Sequence, residues 1–306
     1  SILVGATTKP LVDWLGGGDE VTGFRLTIIL FAILSVLLFL ITFAGTRERT
    51  TPDRPQKSNV SQDIAVLVRN ISWIVLAISG VLIVIGLIGR LSSVAFFAKY
   101  NMGLGDGKVL WWMDSASLII TVGFVGQLFG ALLTPVLSGR SGKKRLMIAA
   151  NFLAAAALIV NYLAPTGFAI AMVSHTVMMF CFGIMITLLF AMYTDCSEYG
   201  EWKSGKNSAG LTVSASMFSL KFGSAVGVAI PSAVLAGFGF VAPLDGVAQI
   251  QSETALAGIR MMFNIVPGLF FLCAGSLMCF YQIDRRLLAR IEQDLSVRRS
   301  EAASAG

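Results

Sequence analysis

Charge is what this chain most conspicuously lacks. Asp, Glu, Lys and Arg make up 13% of its 306 residues, while apolar residues make up 56% and the mean hydropathy is +0.79. A soluble domain carries about twice that share of charge, so water is excluded as the solvent for most of the chain. Histidine is almost absent: there is one, His175. With no H-E-x-x-H pattern and no carboxylate at a matching depth, neither a metal set nor a nucleophile with its base is available. No enzyme is expected. The four cysteines, Cys181, Cys196, Cys273 and Cys279, lie in or beside apolar runs without metal-ligand spacing. That excludes a cysteine metal site and makes disulfides unexpected; three read as small core residues, and Cys196 stays open. The alternation of membrane β-strands is also absent, which leaves a helical bundle as the spanning class.

Long apolar runs are what the chain has instead. Seven stretches, 24–45, 72–98, 113–138, 146–164, 168–193, 212–236 and 260–282, each have the length needed to cross about 30 Å of hydrocarbon as helix. A partial run covers 1–15. The fold expected is all-α, a polytopic membrane bundle. Residue 1 is Ser within what reads as a helix, and no cleavable leader opens the chain, so a truncated N-terminus is expected.

The net charge of +6 follows topology rather than nucleic acid, and no nucleic-acid partner is expected. Assigning alternate connections to opposite sides groups sixteen of the 23 basic residues together: Arg47, Arg49, Arg54, Lys57, Arg69, Arg140, Lys143, Lys144, Arg145, Lys203, Lys206, Arg285, Arg286, Arg290, Arg298 and Arg299. Arg25, Lys99, Lys108 and Arg260 fall opposite. The positive-inside rule makes the crowded side cytoplasmic, and the C-terminus with it. The polar linker TRERTTPDRPQKSNVSQD suits a solvated connection between helical groups. The expected organisation is therefore 1–45 as the end of an N-terminal helical half (late fifth and sixth helices), 46–70 as a central cytoplasmic loop, 71–283 as a six-helix C-terminal half, and 284–306 as a cytoplasmic tail. This is a twelve-helix transporter cut within its first half, wanting about 140 upstream residues at membrane-crossing lengths. The alternative is a seven-helix receptor or sensor.

One basic residue belongs to neither side. Lys221 lies about 14 to 20 Å into the run 212–236, near mid-membrane, where a charge costs about 2.5–3.5 kcal/mol unless it meets a cavity or a partner. No carboxylate of the chain shares that depth, so its counter-ion is expected from the absent half. At 100° per residue Ser214, Lys221 and Ser232 share a face, Ser224 lies about 60° round, and Gly223 with Gly227 lies opposite. That pattern describes a helix lining a cavity on one side and packing closely on the other. For Arg90, toward the outer leaflet, an interfacial anchor and a cavity role are both open. His175 reads as a bonded structural residue; Asn151, Asn161, Gln127 and Asn264 read as interhelical hydrogen-bonders, and Pro135, Pro231 and Pro267 as kinks.

The stretch DCSEYGEWKSGKNSAGLTVSASMFSLKFGSAVG resembles the glycoside-pentoside-hexuronide:cation symporters, the melibiose-permease type within the major facilitator superfamily. GRLSSVAFFAKYNMG, GRSGKKR and GIRMMFNIVPGLFF extend the likeness to the seventh helix, the basic loop after the eighth, and the twelfth helix. Glu198, Asn207 and Ala209 depart from the residues commoner there. The resemblance implies a sugar symporter working by alternating access, with Na⁺ or H⁺ as coupling ion, no other cofactor, and the ion's main carboxylates on helices outside this chain. Lys221, Ser214, Ser224 and Arg90 would line the substrate and cation cavity. Asp195, Glu198, Tyr199, Gly200, Glu201, Trp202 and Lys203 would form a cytoplasmic gate. Lys206 and the basic loop Arg140, Lys143, Lys144 and Arg145 would stand against it. The implied partners are a small sugar, the lipid bilayer and the missing half, in a bacterial inner membrane. A major facilitator of another substrate class is the further alternative.

Overall fold

The computed structural model describes residues 2–46, 60–104, 108–110, 113–164, 167–205, 209–242 and 249–304. Its helices are α1 (Ile2–Gly16), α2 (Glu20–Gly45), α3 (Val60–Arg69), α4 (Ile71–Phe96), α5 (Ser115–Ser141), α6 (Lys143–Leu163), α7 (Phe168–Ser204), α8 (Ala209–Gly237), α9 (Glu253–Phe263), α10 (Ile265–Leu277) and α11 (Arg285–Ser304). A π-helical turn, Phe97–Asn101, extends α4, and a short antiparallel ribbon, β1 (Lys108–Leu110) with β2 (Met113–Asp114), precedes α5. Among the described residues seven stretches are long and apolar enough to span a membrane: Glu20–Gly45, Ile71–Asn101, Ser115–Ser141, Lys143–Leu163, Phe168–Ser204, Ala209–Gly237 and Glu253–Phe280. These are the seven runs of the sequence, and α9 with α10 forms the last as a helix broken at Asn264.

Local chemistry sets the helix starts. Asp19, Asn70, Asp114 and Ser252 each accept a backbone N–H in the first turn of α2, α4, α5 and α9, satisfying donors that a helix start leaves free. Their ends differ more from expectation. The polar segment after 193, read as a loop, continues α7 to Ser204, where Gly205 at φ 70° closes it with an N–H to Glu201. Nothing between Thr194 and Ser204 breaks a helix, and 37 residues span about 55 Å, so the last turns project well past the hydrocarbon. The expected central loop also holds structure: residues 60–69 form α3, while 47–59 lie outside the described residues. The tail expected at 284–306 forms α11, whose Ile291 and Leu295 are buried.

Helix α7 is the hub, packed against α5, α6 and α4. Its Met178, Met185 and Met192 form a core with Leu76, Met147, Leu158 and Phe271 of the surrounding helices. Because lipid is as apolar as leucine, close packing rather than water exclusion holds such helices together, and small residues permit it. A Cβ on Gly130 would collide with the Phe180 carbonyl oxygen, and one on Gly183 with that of Gln127. Backbones of α5 and α7 therefore touch. Helix α2 contrasts with this: it packs on α1 but leaves nearly all its apolar surface uncovered.

Gly183→Ala should destabilise the protein by about 1–3 kcal/mol through overpacking, despite alanine's better helix propensity. Gly45→Ala, which meets no atom within 4 Å, is the control. Equal Tm values for both variants in detergent would contradict backbone contact between α5 and α7.

Candidate functional site

Two regions collect the residues singled out by sequence. The first is the outward face of α8. Gly223 and Gly227 press this helix against α4, where added Cβ atoms would come within 2.9 Å of the Val81 carbonyl oxygen and of Ile88. That contact fixes the rotation of α8 and turns Lys221 to the opposite side, where it is exposed and has no partner among the described residues. It sits about 18 Å along α8 from Ala209. Ser214 is exposed beside it and donates to the Gly210 carbonyl at 2.8 Å; half-buried Ser224 donates to Leu220 at 3.0 Å. Phe218 and Phe222 flank the lysine with exposed, stacked rings. The face thus offers an ammonium, two small hydroxyls already bonded to their own helix, and aromatic surface, a combination suited to a polyhydroxylated ligand.

The second region is the basic end of the bundle, where the start of α6, the projecting end of α7 and α11 meet. Lys143 donates to both carboxylate oxygens of Asp195, at 2.7 and 2.8 Å. Asp195 is buried and Lys143 partly so, which makes the pair harder to screen than a surface bridge. Lys144 donates to the carbonyls of Cys279 and Tyr281 at 2.9 and 2.6 Å, and Arg285 to that of Gly139 at 3.1 Å. Trp202 donates from its indole to Asp294 at 2.8 Å, and Arg298 donates to the Trp202 carbonyl at 3.1 Å. The Lys203 ammonium lies 5.7 Å from the Tyr199 ring centroid. Glu198 and Glu201 are half-buried in the same projecting turns, with Gly200 buried between them. Arg140 and Arg145 stay exposed; Lys206 falls outside the described residues. Between α5, α6 and α11 a cleft of about 970 Å³ opens, lined by Lys143, Lys144, Arg145, Asp195, Arg286 and Glu292 among others. Among the described residues, the start of α6, the end of α7 and α11, which the charge count puts on one side, meet here.

Arg90 belongs to neither region. It is wholly buried, so it lines no open cavity and anchors at no interface; its guanidinium is enclosed by α4, α7 and the α9–α10 junction. His175 accepts from it at 3.4 Å, in the structural role that its position suggests. Sequence reasoning also misses Asp294 and Arg298, which hold the end of α7. The apolar spacing Leu288, Ile291, Leu295 is the signal that α11 packs back on the bundle and brings them there.

The sequence matches the family described as MFS/sugar transport protein over residues 1–285. Among curated relatives it is similar to the isoprimeverose transporter of Lactiplantibacillus pentosus, 29% identical over 95% of this chain and 60% of the relative. It is similar also to the glucuronide carrier protein homolog of Escherichia coli K12, 27% identical over 92% of this chain and 59% of the relative. The inner membrane symporter YicJ of the same organism is 24% identical over 87% and 55%. The chain therefore spans somewhat over half the length of these relatives. With the family match covering nearly all of its spanning helices, the chain belongs to the MFS/sugar transport protein family and is an integral, multi-pass membrane protein.

Proposed function

We propose that this chain is the larger part of a cation-coupled sugar symporter working by alternating access. Residues 71–283 form its C-terminal helical half, 1–45 the end of its N-terminal half, 46–70 the connection between halves, and 284–306 a cytoplasmic tail. The observation that carries the reading is Lys221: an unpartnered ammonium in the middle of a spanning helix, turned out of the bundle by a glycine contact. In hydrocarbon that arrangement is costly, whereas facing a water-filled cavity closed by a second helical half it is not. Relatives of which this chain covers 55 to 60% support a second half beyond it. Lys221, with Ser214 and Ser224 near it, contacts the sugar at the midplane. The coupling Na⁺ or H⁺ is held chiefly by carboxylates of the other half. Names of relatives that carry isoprimeverose and glucuronide support a glycoside, pentoside or hexuronide as substrate. Arg90 contributes nothing to an anionic preference, since it is enclosed.

At the basic end, taken as cytoplasmic, Asp195 and Lys143 both lie within one half. They act as a strut that keeps α7 aligned with α6 rather than as the pair exchanged between open and closed mouths. The exchanging contacts belong to Glu198, Glu201 and Lys203 on the projecting turns, with Trp202 anchored to α11.

The overall reading is tested by reconstituting the full-length carrier and following labelled sugar uptake under an imposed Na⁺ or H⁺ gradient. Uptake indifferent to both gradients contradicts symport. In that protein Lys221→Cys should react with a membrane-impermeant thiol reagent and be protected by the sugar, and Lys221→Ala should lose uptake by about tenfold or more, equivalent to ~1.4 kcal/mol of lost interaction. A cysteine that only lipid-soluble reagents reach would place residue 221 against lipid and remove the cavity reading.

Asp195→Asn should cut uptake by about tenfold while sugar affinity stays within about twofold, because a buried partner is lost far from the sugar, worth about 1–3 kcal/mol. The charge swap Asp195→Lys with Lys143→Asp should recover part of the rate. Unchanged uptake in Asp195→Asn would retire the strut.

A further inference from the structure

The last spanning helix is broken between α9 and α10, and the break leaves backbone oxygens without their usual donors. Phe263 would receive the N–H of residue 267, which is proline and has none. The N–H of Asn264 turns to Met261 at 3.2 Å, leaving the Arg260 carbonyl, which the Asn264 side chain then satisfies at 3.0 Å. The Phe263 carbonyl receives Nη1 of Arg90 instead. Arg90 comes from a different helix, 173 residues away in sequence.

The surroundings of Arg90 are arranged around this one contact. Nη1 also donates to Asn264 Oδ1 at 3.0 Å, Nη2 to Ser174 at 3.2 Å, and Nε to His175 Nδ1 at 3.4 Å. Its Cζ stands 3.6 Å over the centroid of the Phe263 ring, whose neighbour is the stacked Phe97 ring at 4.2 Å. Asn161 donates to the same Asn264 oxygen at 2.6 Å. Gly86 and Gly89 let α4 approach closely enough, facing the Pro267 carbonyl and Met262. No carboxylate pairs with Arg90 among the described residues. A guanidinium is thus held in the bundle interior by neutral acceptors, two of them at the break itself. Such a placement is costly unless the acceptors would otherwise be stranded, and here the Phe263 oxygen would be.

We propose that Arg90 is a positioning residue that caps the carbonyl orphaned by Pro267 and so fixes the α9–α10 break as a hinge in the last spanning helix. The two pieces it separates have different neighbours. Helix α10 packs on α4 and α6, whereas α9 packs on α4, α8 and the π-helical turn after α4. A hinge at Asn264 lets α9 move with α8, the helix bearing Lys221, while α10 stays with α6. This goes beyond the transport reading and does not need it, because the cap is a property of the folded chain.

The test is a double-mutant cycle in the full-length protein: Arg90→Met, Pro267→Ala, and both together, compared by Tm in detergent and by amount accumulated in the membrane. Arg90→Met should lower Tm by several degrees, and Pro267→Ala, by restoring a backbone N–H to Phe263, should return most of that loss in the double variant. If Arg90→Met does not accumulate at all, recovery of accumulation in the double variant is the same result. Additive losses, or a double variant that still fails to accumulate, would overturn the cap. Sugar uptake separates the hinge from mere stability: the double variant should be stable yet transport several-fold slower with its sugar affinity unchanged. A double variant that regains both stability and full uptake would overturn the positioning role. Should the wild type move no sugar, the stability cycle still decides the cap, so failure of one reading is distinguishable from failure of the other.

Discussion

A chain that crosses hydrocarbon can leave no backbone N–H or C=O without a partner, because no water is there to supply one. Along most of this bundle ordinary helices meet that demand, and hydroxyls such as Thr134, Thr176 and Ser216 add bonds to the carbonyl four residues back. Side chains also add bonds between helices: Ser79 reaches across to the Ala274 carbonyl, and Asn70 to that of Cys196. Where regular helix ends or breaks, they take over. Arg260 supplies the carbonyls of Tyr162 and Ala164 at the end of α6. Among the described residues, Arg90, Arg260 and Asn264 serve carbonyls that a helix break or end leaves short of backbone donors, and Arg90 is the largest of them.

Meeting the demand with helices leaves packing to hold them together, and packing then decides what faces outward. Glycines of α5 seat it on the α7 backbone, and Gly223 with Gly227 seats α8 on α4. Neither contact has rotational slack, since a helix turned by one residue would present a side chain where only a hydrogen fits. Lys221 is therefore aimed by residues that never touch it. The same reasoning places the uncovered apolar surfaces of α2 and α5 outward, where lipid or other protein surface satisfies them.

Seven apolar runs were enough to locate seven spans, because length and hydropathy alone specify a membrane helix. The small-residue face of α8 was equally legible from its spacing. What spacing could not convey was how far a helix continues once it leaves the hydrocarbon: Thr194 to Ser204 is polar and reads as loop, yet contains no residue that stops a helix before Gly205. The surroundings of Arg90 are illegible for a different reason. Depth along a helix says that a charge needs company, not whether that company is water or the neighbouring backbone, and its partners stand 84 to 174 residues away. The Lys143–Asp195 pair spans 52 residues, and only the general presence of a basic loop pointed to it.

The two ends of the bundle differ in how firmly they are tied, and that difference constrains how the bundle can deform. At the basic end an ion pair, the lysine and arginine bonds to the α5 and α10 ends, and the indole bond to α11 join five segments through contacts that all lie within the same set of helices. Opening that end from within the set would leave the buried Asp195 without its partner and break several side-chain bonds together. At the opposite end α9 is joined to α10 across a junction whose Phe263 and Arg260 carbonyls are met by side chains rather than by backbone donors. Bending at the Asn264 junction disturbs those two bonds, whereas at the basic end it disturbs an ion pair and several side-chain bonds at once. Deformation of the bundle is therefore easier to accommodate at the junction than across the basic end.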